Sequence, residues 1–180
     1  MKFDAVELAA LVAEACAWLR QQRSEYFLSS VPLSMDQKVR LSPFFTSEIL
    51  DLVRIVNLSQ TGKTIAPPPF YERVRAGGLR LVPDPAHMAA LPFIDVGVFN
   101  KEPTLRTIFH TLVHVAQFAF VGVEGAMEVY FRILNESGLW MVVPLEEQAY
   151  RMDARFTRDP TDFFSVEEEI KEWLRAGKYS

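Results

Sequence analysis

The chain has one cysteine, Cys16, in 180 residues. An internal disulfide is therefore impossible, which excludes a small disulfide-stapled scaffold and fits a reducing compartment. In its helical context Cys16 reads as a small buried apolar residue. Runs of Lys and Arg are also missing. With 19 basic and 23 acidic residues the formal net charge is −4, a balance that points away from nucleic acid or an anionic membrane surface as partner. Long apolar runs are absent as well. The uncharged run Ile108 to Val123 holds His110, Thr111, His114 and Gln117, and it falls short of the roughly 20 apolar residues of a spanning helix. Asp4, Glu7 and Glu14 interrupt the apolar N-terminal stretch, and no small-residue cleavage region follows, so no secretory signal is expected. The expectation is a cytoplasmic protein.

Apolar residues, by contrast, are plentiful. They make up 49% of the chain, with 14 phenylalanines, enough for one domain over 1–180 with a substantial core. Residues 3–28 read as a long helix, rich in Ala and Leu, that packs along the domain. Ser34 is a candidate N-cap for a short helix through Arg40, and Thr46-Ser47-Glu48 begins another. Leu52 to Leu58 alternates like a half-buried strand, with helix as the alternative. Gln60 to Pro69 is a rigid connector. Phe70 to Arg75 is a short helix stopped by Gly77-Gly78, and Leu79 to Val82 is a short extended piece. Leu91 to Asn100 reads as one strand, whose Pro92 and Gly97 suit a sheet edge. Thr104 caps a helix from Leu105 to Val121. Gly122 and Gly125 allow a bend into a second helix, Val123 to Leu134. Pro144 suits the first turn of a helix running through Thr157, and Asp159 to Asp162 starts a last helix that ends near Ala176. The pairs Phe44-Phe45 and Phe163-Phe164, with Phe118 and Phe120, are expected in the core; an exposed subset would mark a partner surface.

The chemistry centres on His110-Thr111-Leu112-Val113-His114. Two histidines four apart on a helix project from one face, one turn above each other. Their ring nitrogens can then converge on one metal ion. Zinc is the commonest choice, and a catalytic zinc takes three protein ligands and keeps one position open. The third ligand is expected from Pro144 to Tyr150. The alternative is a pair of core histidines satisfied by hydrogen bonds.

These stretches resemble the gluzincin metallopeptidases, in which one helix carries H-E-x-x-H and a second carries E-x-x-A. The wider chain is similar to a group of small bacterial zincin-like domains at Pro68-Pro69-Phe70-Tyr71, Met88-Ala89-Ala90, His110 to Gln117 and Pro144 to Tyr150. The resemblance implies an α+β, mostly helical zincin-like domain with a small sheet beside the metal-site helix, and a site-bearing core over 70–158. It implies a zinc site of His110, His114 and Glu146, with Glu147 as fallback ligand and Ala149 as the small residue that lets the helices approach.

The departure is at Thr111, which stands where the family has its general-base glutamate. A threonine hydroxyl is no base near neutral pH, so the implied zinc metallopeptidase has impaired or absent hydrolysis. Glu124 and Glu128 are expected to face solvent. Glu147 sits about 100° around the helix from Glu146, so no carboxylate takes over. The alternative function is a non-catalytic binding or scaffold protein on the same fold, with or without metal. Asp153 reads as hydrogen-bond partner of a ligand histidine or as an ion-pair partner of Arg106 or Arg151. Tyr71 and Tyr150 read as oxyanion donors or as core residues. Gln117 reads as a brace for the site, and His87 as a surface loop residue. A peptide could pair with an edge strand near 91–100, or that strand is an ordinary edge. The sequence leaves the oligomeric state open.

Overall fold

The computed structural model describes residues 3–77 and 82–179. Gly78 and the extended piece expected at Leu79 to Leu81 lie outside the described residues. The element order is α1 (Ala5–Phe27), β1 (Val31–Pro32), α2 (Met35–Leu41), α3 (Ser47–Leu52), β2 (Arg54–Asn57), α4 (Tyr71–Ala76), β3 (Ala90–Phe93), β4 (Val96–Phe99), α5 (Leu105–Val121), α6 (Val123–Ser137), α7 (Pro144–Arg158) and α8 (Val166–Arg175). Two 3₁₀ turns, Pro85–His87 and Trp140–Val142, complete it. The fold class is α+β, mostly helical with a small mixed sheet, as the sequence suggests.

Caps set the ends of the long helices. Asp4 accepts from Val6 and Glu7 backbone N–H groups, while the Glu7 side chain returns to the Asp4 N–H, a reciprocal capping box. Thr104 and Thr107 do the same at the start of α5. Helix α1 buries Leu11, Ala15, Cys16 and Leu19, a single stripe at helical spacing, and lays it against α6. Asn135 of α6 holds both backbone groups of Phe3, at 2.9 and 3.0 Å.

The four strands lie in the order β1-β2-β4-β3, with β2 and β4 parallel and both outer pairs antiparallel. The single strand expected over 91–100 is in fact a hairpin, turning at Ile94-Asp95 between β3 and β4. The turn is hidden because Ile94 takes the left-handed conformation (φ 63°) without a glycine to announce it. Arg23 of α1 clamps the neighbouring Asp95 with two bonds of 2.7 Å. Pro92 does sit on an edge strand, β3, where its missing N–H costs no ladder bond. Gly97 is central, on β4, because α5 crosses closely there. A Cβ at Gly97 would come within 2.8 Å of the Thr111 methyl.

Helix α5 is the central helix of the core, with Ile108, Phe109, Leu112, Val113 and Ala116 all buried. Among the described residues, no single helix is long and apolar enough to cross a membrane; α5 and α6 together are, but the pair is bent by 109°. Gly122 makes the break with φ 80°. The last helix begins at Val166, later than expected. Asp159 to Asp162 is used up in a turn, with Thr161 N–H bonded to the Asp159 side chain at 2.9 Å and Arg155 holding Asp162 at 2.8 Å. Ser165 then caps α8. The phenylalanine expectation also needs correction. Phe44 and Phe45 are core, but Phe163 is 62% exposed and Phe120 also reaches solvent, where Lys171 stacks its ammonium over the Phe120 ring.

Candidate metal centre

Helix α5 presents His110 and His114 one turn apart, and α7 runs alongside it. Pro144 occupies the first turn of α7, where its missing N–H costs nothing. Glu146 follows in that turn, and Ala149, one turn on, is fully buried. The ligand atoms of His110, His114 and Glu146 all lie within 4.8 Å of one another. The two histidine Nε2 atoms are 3.2 Å apart, and His114 Nε2 is 3.7 Å from a Glu146 oxygen. Two ligands of a tetrahedral zinc, each at about 2.0–2.1 Å, sit about 3.3 Å apart. The histidine pair already has that spacing, the His114–Glu146 separation is a few tenths of an ångström wider, and the whole group stays within 4.8 Å.

A buried polar chain fixes which nitrogen of His114 points at this focus. The Gln117 amide NH₂ donates to the Leu145 carbonyl at 2.9 Å and to Gln148 Oε1 at 3.1 Å. A backbone carbonyl only accepts, so the amide orientation is settled. Gln117 Oε1 therefore faces His114 Nδ1, at 2.8 Å, as acceptor. Neutral His114 carries its proton on Nδ1 and leaves the Nε2 lone pair bare toward His110 and Glu146. The chain continues outward, with Tyr179 OH donating to Gln148 Oε1 and Gln148 Nε2 donating to the Glu169 carbonyl at 3.2 Å. No buried side-chain nitrogen or oxygen among the described residues lacks a partner.

Burial sets the charges. It lowers the His110 pKa to about 3, with His114 and then Arg106 acting in the same direction. His110 is therefore neutral near pH 7 and has a lone pair to give. Burial also pushes the Glu146 carboxyl above its ordinary range, opposed only by His114. The same burial, with Glu146 adding to it, raises the Tyr130 hydroxyl. A neutral His110 and a desolvated Glu146 carboxyl, with no Lys or Arg among the described residues paired to it, form a site short of positive charge. A divalent cation would supply it, and the donor set, two nitrogens and one oxygen with no thiolate, suits zinc.

The other expected residues are distributed as follows. The Thr111 side chain is buried, and its hydroxyl donates to the Thr107 carbonyl at 2.8 Å, so its proton is committed within the helix. Glu147 is exposed and stands outside the ligand cluster. Glu124 and Glu128 face solvent as expected, with Glu124 paired to Arg20. Asp153 is buried but serves no histidine. It takes Arg106 through three contacts of 2.9–3.1 Å, tying α7 to the start of α5. The Tyr150 ring packs 4.7 Å from the His110 ring. Tyr71 is buried, with its hydroxyl at 3.4 Å from the Val82 carbonyl. Gln117 braces His114 as expected, and His87 is exposed beside Asp84.

Gln148 and Tyr179 are the residues that sequence reasoning missed. A signal existed for Gln148, because it falls on the apolar stripe Leu145, Ala149, Met152, Phe156 of α7. A polar residue on such a stripe must be bonded inside the protein. Tyr179 lies beyond the last helix and carries no comparable signal.

The cluster opens into a cavity of about 500 Å³. His110, His114, Glu146 and Tyr150 line it together with Trp18, Met127, Tyr130 and Trp140. No protein-family model matches the chain, and neither a curated protein nor a solved structure does.

Proposed function

We propose that this is a zincin-like metal-binding domain that holds zinc through His110, His114 and Glu146 and hydrolyses peptides poorly or not at all. The observation that carries this reading is the convergence of three ligand atoms within 4.8 Å of one another on the wall of a cavity. Three protein ligands leave a fourth position free, as in catalytic sites. Bound there, zinc would polarise a carbonyl and acidify a water molecule. The residues around it favour binding over turnover. Thr111 offers no base, its hydroxyl proton goes to Thr107, and Asp153 is neutralised by Arg106. General-base catalysis is worth about 10²–10⁴-fold, and that factor is what the site lacks.

The metal-free scaffold reading has one observation in its favour. At 3.2 Å the two Nε2 atoms can share a proton, His110 donating to His114, so the pair is satisfied without a cation. That arrangement leaves Glu146 uncompensated, which is why the metal reading stands first.

Thr111→Glu separates peptidase from scaffold. With zinc loaded, wild type is expected to leave an unstructured protein such as casein intact, and the variant to cleave it. A variant that takes up zinc normally yet stays inert removes the peptidase half of the reading.

A further inference from the structure

The cavity is much larger than the three ligand atoms need. At about 500 Å³ it falls within the roughly 300–1,000 Å³ typical of small-molecule sites. Its wall is graded in exposure. Arg106, with a 58% exposed side chain, and Tyr150, 41% exposed, mark the solvent end. His110, His114 and Glu146 are buried or half-buried. The far wall includes Ala15, Leu19, Ala126 and Phe131, none more than 5% exposed. Those four side chains carry no polar atom. The charged groups of the lining besides the ligand cluster, Arg106 and Asp153, neutralise each other. The four far-wall side chains offer a peptide main chain no donor or acceptor.

We infer that the cavity binds a small amphiphile, an unbranched aliphatic monocarboxylate, with its hydrocarbon tail on the far wall and its carboxylate at the His110/His114/Glu146 cluster. The tail site stands on the cavity alone. The head site rests on the metal reading, because the Glu146 carboxylate repels an anion unless a cation lies between them.

Each methylene withdrawn from water contributes about 0.8 kcal/mol, which is about fourfold in affinity. The test is a calorimetric series. Carboxylates from butanoate to dodecanoate are titrated into zinc-loaded protein, and the matching n-alcohols into zinc-loaded and chelator-treated protein. Carboxylate affinity is expected to rise about fourfold per added methylene until the cavity is full, and to vanish on chelation. Ala126→Leu on α6 and, separately, Ala15→Leu on α1 are expected to bring the plateau to shorter chains; two helices are used so that a folding defect in one variant does not decide the matter. A rising series for alcohols that is equal with and without zinc, with no carboxylate binding, keeps the tail site and overturns the metal-held head. A flat series for both classes, or a plateau unmoved by either folded variant, overturns the inference whatever the zinc content.

Discussion

Asp153 and Glu146 lie on the same helix, two turns apart, both withdrawn from water, and they differ in what faces them. Asp153 is 3% exposed and meets the Arg106 guanidinium through three contacts of 2.9–3.1 Å. Among the described residues Glu146 has His114 as its ion-pair partner, at 3.7 Å, and no Lys or Arg pairs with it. One carboxylate has a permanent cation and ties two helices together. The other lines a cavity beside two imidazoles, and burial pushes its pKa up. Burial alone therefore does not mark a functional acid. A buried acid that the fold leaves without its own cation is the better candidate, and the proposed metal reading gives Glu146 an exchangeable one.

The comparison can be broken at either carboxylate. The largest effect belongs to the cluster. A structural zinc site is worth about 10–16 kcal/mol in all, so losing one ligand in Glu146→Ala should weaken zinc by about 10²–10³-fold. A competition titration against a chromophoric chelator measures this. The chelator-treated protein should answer in stability too. A carboxyl whose folded pKa lies above its ordinary value of 4.5 favours folding below 4.5 and loses that contribution as pH rises through the folded pKa. Glu146→Gln should remove this loss, so that metal-free variant outlasts metal-free wild type at neutral pH in urea.

Asp153→Asn should do the reverse. It leaves Arg106 without its partner and should cost about 1–3 kcal/mol, discounted because the Arg106 side chain is 58% exposed. Zinc affinity should move little. A zinc loss matching that of Glu146→Ala would show that the two carboxylates are not separate in function.

A loss of zinc affinity smaller than that at Glu146 is expected at Gln117. Gln117→Leu removes the acceptor that holds His114 in one tautomer. Partners of this kind are worth about 10–100-fold in metal affinity. Zinc affinity unchanged in a folded Gln117→Leu protein would mean that the tautomer does not depend on this bond.

The helices were legible because their signals are local. The Thr104 cap, the Gly122 break and Pro144 predict α5, α6 and α7 nearly to the residue. His110, His114 and Glu146 follow from helical spacing and a family-like pattern, and the structure brings all three together. The β3–β4 hairpin was not legible, because Ile94 turns the chain where a glycine would be expected. The delayed start of α8 depends on Arg155 reaching Asp162, a tertiary contact. The same holds for Tyr179, whose hydroxyl reaches Gln148 from the far end of the chain. What a sequence shows least is which buried polar groups meet, and here that decides that Asp153 pairs with Arg106 rather than with a histidine.

The most direct measurement is the metal content of freshly purified, tag-free protein, beside a His110→Ala variant. The account predicts close to one zinc per wild-type chain and its loss in the variant. No metal in either protein, even after zinc is supplied and the excess removed, would contradict it and leave a scaffold with two hydrogen-bonded histidines in its core.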